Sequence, residues 1–137
     1  MGRAIEGTSK AESAMGRWAP NELAFIERLE FGRGSESEAT VKLVGLFQRR
    51  DVGGWPAIDE PMHRVTLLFD GVQRLEIEGF GSAPVQIMGF DIRSVADPGW
   101  EGVNFEIEDY EDGRIRFFCG RVQILEVAEA DIDDVLD

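Results

Sequence analysis

The 137 residues include a single cysteine, a single histidine and a single tyrosine. Cys119 has no partner for an internal disulfide, which points to a reducing compartment. Its neighbours Phe117 and Phe118 read as buried strand, where a thiol behaves as a small hydrophobe. A nucleophile would need a nearby base, and His63, beside Met62, reads as an exposed loop imidazole. One histidine and one cysteine also exclude a His/Cys zinc site, so no metal is expected. Basic residues are scarce as well, 14 against 27 acidic, for a formal charge of -13. Such a surface repels phosphate backbones, which argues against nucleic-acid binding. No apolar run is long enough to span a membrane, and the opening "MGRAIEGTSK" lacks the apolar core of a secretory signal. The expectation is a cytoplasmic protein.

Chemical motifs are missing too. The chain has no Walker loop, dinucleotide fingerprint, Gly-x-Ser-x-Gly elbow or His-Glu-x-x-His. "GFGSAP" has glycines but no helix after it to cradle a phosphate. Carboxylates crowd Glu106, Glu108, Asp109, Glu111 and Asp112, and again the tail from Asp131 to Asp137. A glycosidase needs two carboxyls facing each other across a sugar, which neighbours on one strand do not provide. "DIDDVLD" lacks the glycine that a calcium loop requires. These clusters read as solvated faces, and neither an enzyme nor a cofactor is expected.

What is present is β pattern. Residues 1–17 are small and polar and read as a flexible lead, with a short helix over "KAESAM" as one option. Residues 18–127 read as one antiparallel domain, and 128–137 as an acidic tail. In "WAPNELAFIERLEF", Asn21 could cap a helix, but Phe25, Leu29 and Phe31 fit a strand from about Ala24 to Phe31. In "ATVKLVGLF", Val41, Leu43 and Phe47 share one parity, and "QRRDVGGWPAIDEPM" is a long loop.

Val65, Leu67 and Phe69 alternate with polar or outward residues, and so do Leu75 and Ile77. A three-residue loop centred on Gly71 would pair Leu67 with Leu75 and Val65 with Ile77, keeping apolar residues on one face. Parity changes at Met88-Gly89, where either a β-bulge restores a continuous inner face or the strand is buried on both faces, and again at Gly120 within a long last strand over 114–127. A loop centred on Asp112 pairs Ile107 with Phe117, Phe105 with Cys119 and Glu108 with Arg116. Glu76, Glu106, Glu108 and Arg116 then face solvent. About seven short strands and no long helical pattern indicate an antiparallel sandwich or partly open barrel.

Trp18, Trp55 and Trp100 stand at strand edges or in loops. They either plug the ends of the sandwich or, with Tyr110 and the nearby acids Glu106, Glu108, Glu111 and Asp112, anchor a partner.

In order along the chain come a Trp with a nearby Pro, "VTLLFDGVQRLEIEGF", "IMGFDI" and "FEIEDYEDGRIRFFCGRVQILEV". This arrangement resembles the bacterial immunity protein 50 family over residues 18–127, most clearly from Val65 to Val127. Its marks are Phe69, Leu75, the Gly79-Phe80 pair and Phe118-Cys119. The resemblance implies a protein that docks on a cognate polymorphic toxin, expected to be basic, and blocks it. The N-terminal stretch "WAPNELAF" departs from the family's Trp-Pro-x-Phe-His-Asp pattern, so no site residues carry over. The other reading is a β domain that binds a small ligand at one mouth of the sheet, for which a deep apolar cavity with convergent polar groups would be the sign.

Overall fold

The computed structural model describes residues 5–49, 61–77, 85–86, 90–95, 103–109 and 115–130. Among them are nine strands in two antiparallel sheets. The larger sheet contains β1 (Leu23–Arg33), β2 (Ala39–Phe47), β3 (Met62–Asp70), β5 (Val85–Gln86) and β9 (Arg121–Ala130), in the order β5-β1-β2-β3-β9. The smaller contains β4 (Gln73–Ile77), β6 (Phe90–Ser94), β7 (Phe105–Asp109) and β8 (Ile115–Cys119), in the order β4-β8-β7-β6. The sheets form an open sandwich, not a closed barrel.

The inner faces are those the alternation marks. Val41, Leu43, Val65, Leu67 and Phe69 of the larger sheet are buried in one core with Phe105, Ile107, Ile115, Phe117 and Cys119 of the smaller. Phe69 meets Phe117 edge-on at 4.9 Å, and Phe47 meets Phe90 in the same way at 6.4 Å, so aromatic contacts cross between the layers. Gly45 falls in the inward parity of β2 because Leu23 takes the space: a Cβ there would lie 2.5 Å from its Cδ1. β1 breaks its own alternation at two bulges, between Leu23 and Phe25 and between Ile26 and Arg28. Beyond them Phe31 remains 60% exposed.

The β7–β8 hairpin has the register read from the sequence, with Ile107 opposite Phe117, Phe105 opposite Cys119 and Glu108 opposite Arg116. Its connecting loop lies outside the described residues. The segment around Gly71 is different. β3 pairs with β2 and β9, while β4 pairs with β8, so no hairpin joins Leu67 to Leu75 or Val65 to Ile77. The chain turns a corner at Gly71 (φ 68) from one sheet into the other. Its partner turns the same corner at Gly120, which divides the expected single strand over 114–127 into β8 and β9. Apolar alternation specifies which face is inward but not which strand lies alongside; in a sandwich both sheets point inward, so the pattern survives a crossing.

Leu75 is 38% exposed where an inward position was expected, and Ile77 is half-buried. The cause is a register shift between Gln73 and Glu76, with Arg74 at φ 55. The extra residue on this edge strand displaces Leu75 from the inner face. The bulge expected at Met88-Gly89 falls on residues outside those described. The strands flanking it belong to different sheets, β5 beside β1 and β6 beside β7, so there is no single strand for a bulge to realign.

The segment that reads as a flexible lead is anchored from Ile5 onward. Glu6 bridges to β9, its N–H donating to the Val122 carbonyl at 2.9 Å and its carbonyl accepting from the Ile124 N–H at 2.8 Å. This covers part of the sheet's last edge, which would otherwise offer unpaired donors and acceptors. Helix α1 (Thr8–Met15) follows, with Ala11 fully buried in the core and Met15 packed against it. A turn of 3-10 helix at Pro20–Glu22 then leads directly into β1. β9 continues to Ala130, past the expected start of the acidic tail; residues 131–137 lie outside the description.

Phe117 is fully buried and meets Phe69 across the layers. Phe117→Ala should lower unfolding stability by about 3–5 kcal/mol, measured by urea denaturation. Gly71→Ala should cost only about 1 kcal/mol: its Cβ would meet Gly120 at ordinary contact distance, leaving the left-handed backbone as the main penalty.

Candidate functional site

Three places gather polar side chains: the outer face of the smaller sheet, the corner and one end of the sandwich. On the outer face, β6, β7 and β8 lie side by side and bring Arg93 and Arg116 to either side of Glu106. Glu106 accepts from Arg93 Nη2 at 2.6 Å and from Arg116 Nη2 at 2.9 Å, and its side chain is only 12% exposed. Glu108 lies 3.5 Å from Arg93 and 3.6 Å from Arg116. The Glu106 hydrogen bond raises the Arg116 pKa further, and the Arg116 guanidinium also sits 5.7 Å from the Phe118 ring centre. The expected solvent-facing acids do point outward, but two arginines from neighbouring strands cover them. Their charge is largely spent within the sheet.

The corner behaves differently. Asp70 and Gly71 meet Gly120 and Arg121 there, with the Gly120 N–H donating to the Asp70 carbonyl at 2.9 Å. The turn between β1 and β2 brings Glu36 and Glu38 to the same place. Together they line an open groove of about 580 Å³ that also includes Leu68 and Gln123. Arg121 is engaged by Glu6, donating from Nη2 at 2.8 Å. Desolvation, followed by the Glu38 and Glu6 charges, raises the Asp70 carboxyl above its usual range against the opposing pull of Arg121. Among the described residues of this groove, carboxylates therefore outnumber cations.

At one end of the sandwich, Met15, Phe47 and Pro61 line a cavity of about 190 Å³ together with Glu22, Gln48, Arg49 and His63. Glu22 and Gln48 are buried, and Glu22 pairs with Arg17. His63 lies within β3 and is half-buried, not in an exposed loop as its neighbours suggested. The strand begins two residues earlier than the alternation alone marks, because Met62 pairs with Ala130.

Of the aromatic anchor candidates, Trp18 packs on Phe47 with ring centres 5.4 Å apart and is half-buried against the core. Among the described residues, its buried indole N–H meets no hydrogen-bond partner. It belongs to the inner packing, whereas Glu106 and Glu108 are on the outer face of the other sheet, so the structure does not join them into one surface. Trp55, Trp100, Tyr110, Glu111 and Asp112 lie outside the described residues. The corner groove is not legible in the sequence because its carboxylates come from separate segments, Glu36 and Glu38 from the β1–β2 turn and Asp70 from the end of β3. The acid-rich turn "GSESE" was its only local signal.

Cys119 is fully buried, and desolvation pushes its thiol up to about 12. A thiol held in that state is a poor nucleophile. It should resist a disulfide-exchange reagent at pH 8 in the native protein and react promptly once urea unfolds the chain.

The raised Asp70 pKa means that its ionised form costs stability in the folded state. That cost is present at neutral pH and disappears as pH falls below the unfolded value, roughly 3.9. Asp70→Asn should therefore be at least as stable as the parent at pH 7. Its advantage should vanish towards about pH 3, as followed by thermal melts across that range.

No family model, curated protein or solved structure matches this chain.

Proposed function

We propose that this protein is a non-catalytic binding module of the immunity type, neutralising a cognate bacterial toxin with a basic surface by direct contact in the cytoplasm. The observation that carries this reading is the corner groove, where Glu36, Glu38 and Asp70 face a single engaged arginine within a chain of net charge -13. The β1–β2 turn and the corner at Asp70, Gly71, Gly120 and Arg121 together form the groove, so a basic partner would meet carboxylates that the fold has already gathered. The sequence resemblance over residues 18–127 supports the same reading independently of charge. Burial of the only thiol supports binding over turnover.

The outer-face acids play a different part. Reversing Glu106 would strip two arginines of their shared partner and disturb the sheet as well as any surface it presents. Reversing Glu36 changes an exposed turn position instead and reports on the groove more cleanly than Glu38, which is half-buried and accepts the Glu36 N–H at 3.0 Å.

Co-expression with the neighbouring gene product, scored for survival and co-purification, is the primary test. For a basic toxin, association should slow steeply with added salt, since steering is screened beyond roughly 10 Å at 0.1 M. The change Glu36→Lys should weaken binding by about threefold to tenfold at low salt and flatten that salt dependence, with the thermal midpoint unchanged. Survival that fails to depend on this chain, with no co-purifying protein, would remove the inhibitor reading.

A further inference from the structure

The C-terminal part of β1 is an open strand edge. β5 pairs with Phe25 and Ile26, and among the described residues no strand lies on that side of β1 beyond them. Glu30, Phe31, Gly32 and Arg33 are exposed in succession, on both faces of the sheet, which a strand covered along this edge would not be. The hairpin with β2 fixes where the free backbone groups point. The Gly34 N–H donates to the Glu38 carbonyl at 2.9 Å, and bonded pairs recur at every second residue of an antiparallel ladder. Gly32, Glu30 and Arg28 therefore spend their backbone groups on Thr40, Lys42 and Val44. Leu29, Phe31 and Arg33 aim theirs away from β2, into the open edge.

The side chains of this edge are as telling. Phe31 lies opposite Val41 and Leu29 opposite Leu43, both buried, so this row faces inward, yet Phe31 stays 60% exposed. An apolar ring on the inner face of an open edge is surface that a neighbouring strand would cover. The outer row carries Arg28 and Glu30, which pair with each other at 3.2 Å and leave no net charge there to repel a strand.

We propose that this edge pairs antiparallel with the same edge of a second copy of the chain, about a two-fold axis at Phe31. In that register Phe31 faces Phe31 of the second copy, while Leu29 and Arg33 face its Arg33 and Leu29, all with backbone groups aimed at one another. Glu30 falls opposite Gly32, and Arg28 opposite Gly34, where the turn carrying Glu36 and Glu38 begins. No like charges oppose, and each Arg28 approaches carboxylates of the other copy. Centring the axis on Glu30 sets Glu30 against itself at the closest spacing and brings in the bulge between Ile26 and Arg28. Centring it on Gly32 pushes Leu29 past the end of the facing strand. The self-complementarity at Phe31 is what selects a second copy as the partner. The proposal does not depend on the inhibitor reading, and either can fail without the other.

So short an interface buries less than about 1,000 Å², which makes the dimer weak, with a dissociation constant on the order of 100 µM. Two copies of charge -13 repel at long range, so added salt should strengthen the dimer, the opposite of its effect on a basic toxin. Sedimentation equilibrium of the full chain should show at least about a threefold gain between roughly 0.05 and 0.5 M salt. Phe31→Lys sets like charges at the axis and should weaken the dimer at least about tenfold. Phe31→Pro removes an N–H that β2 does not use and should abolish it. Phe31→Cys should crosslink to its copy under copper–phenanthroline, because a bonded pair stands about 5.5 Å apart at Cα, and Arg33→Cys should not. Cys119 is buried and stays out of that reaction. A chain that remains monomeric at about 1 mM in high salt would overturn the proposal. So would a dimer undiminished in Phe31→Lys and Phe31→Pro, or Arg33→Cys crosslinking as fast as Phe31→Cys. Leu29, Phe31 and Arg33 amides that gain exchange protection only when another protein is added would assign the edge to that protein and overturn it too.

Discussion

The fold depends on one bent ribbon. β3 and β4 form one side and β9 and β8 the other, and the register that pairs Phe69 with Val122 and Asp70 with Arg121 continues across the corner to pair Gln73 with Phe118. The bend needs two backbones to pass at close quarters. A Cβ on Gly71 would meet the Gly120 amide nitrogen at an ordinary 3.5 Å, so what the bend asks of Gly71 is its left-handed backbone at φ 68. The Gly120 N–H to the Asp70 carbonyl, and the Val72 N–H to the Ala39 carbonyl at 3.0 Å, hold hydrogen bonding through the turn. Both sheets follow: one ribbon supplies two strands to each layer, and burial of Phe69 against Phe117 drives the layers together.

The same corner organises the surface. A chain with so many carboxylates must either neutralise them or concentrate them. On the smaller sheet, cross-strand pairing places Arg93 and Arg116 around Glu106 and spends the charge locally. At the corner, carboxylates arrive from Glu6, the β1–β2 turn and the end of β3, and among the described groove residues Arg121 alone is a cation; desolvation first, then the Glu38 and Glu6 charges, raise the Asp70 carboxyl against it. The contrast follows from geometry. Neighbouring strands in register can match charges one to one, whereas a corner assembled from separate segments has no such register to enforce pairing.

Much of the core was legible because alternation in a strand is a local property. Leu67, Ile107, Phe117 and Cys119 are inward as their parity requires, and the β7–β8 register followed from opposing apolar side chains and one charge pair. Leu75 was misread because a bulge at Arg74 shifts parity without any apolar signal. The anchoring of Ile5 and Glu6 beside β9 was invisible for another reason: a single backbone bridge leaves no periodicity in sequence. The cavity was equally hidden, since Met15, Glu22, Phe47 and His63 come from four elements and none carries a motif.

The sequence by itself determined an acidic, cysteine-poor β protein, the inward face of most strands and the positions where the chain changes direction. Tertiary structure alone decided the partners. The parity change at Gly120 and the "FDGV" stretch could each have been a bulge, a hairpin or a crossing, because all three conserve an apolar inner face. Burial of Phe69 against Phe117 selects the crossing, since only there do both sheets cover one core. Side-chain pattern encodes which way a residue faces. Which strand lies beside it is a long-range choice, made by the packing of the whole.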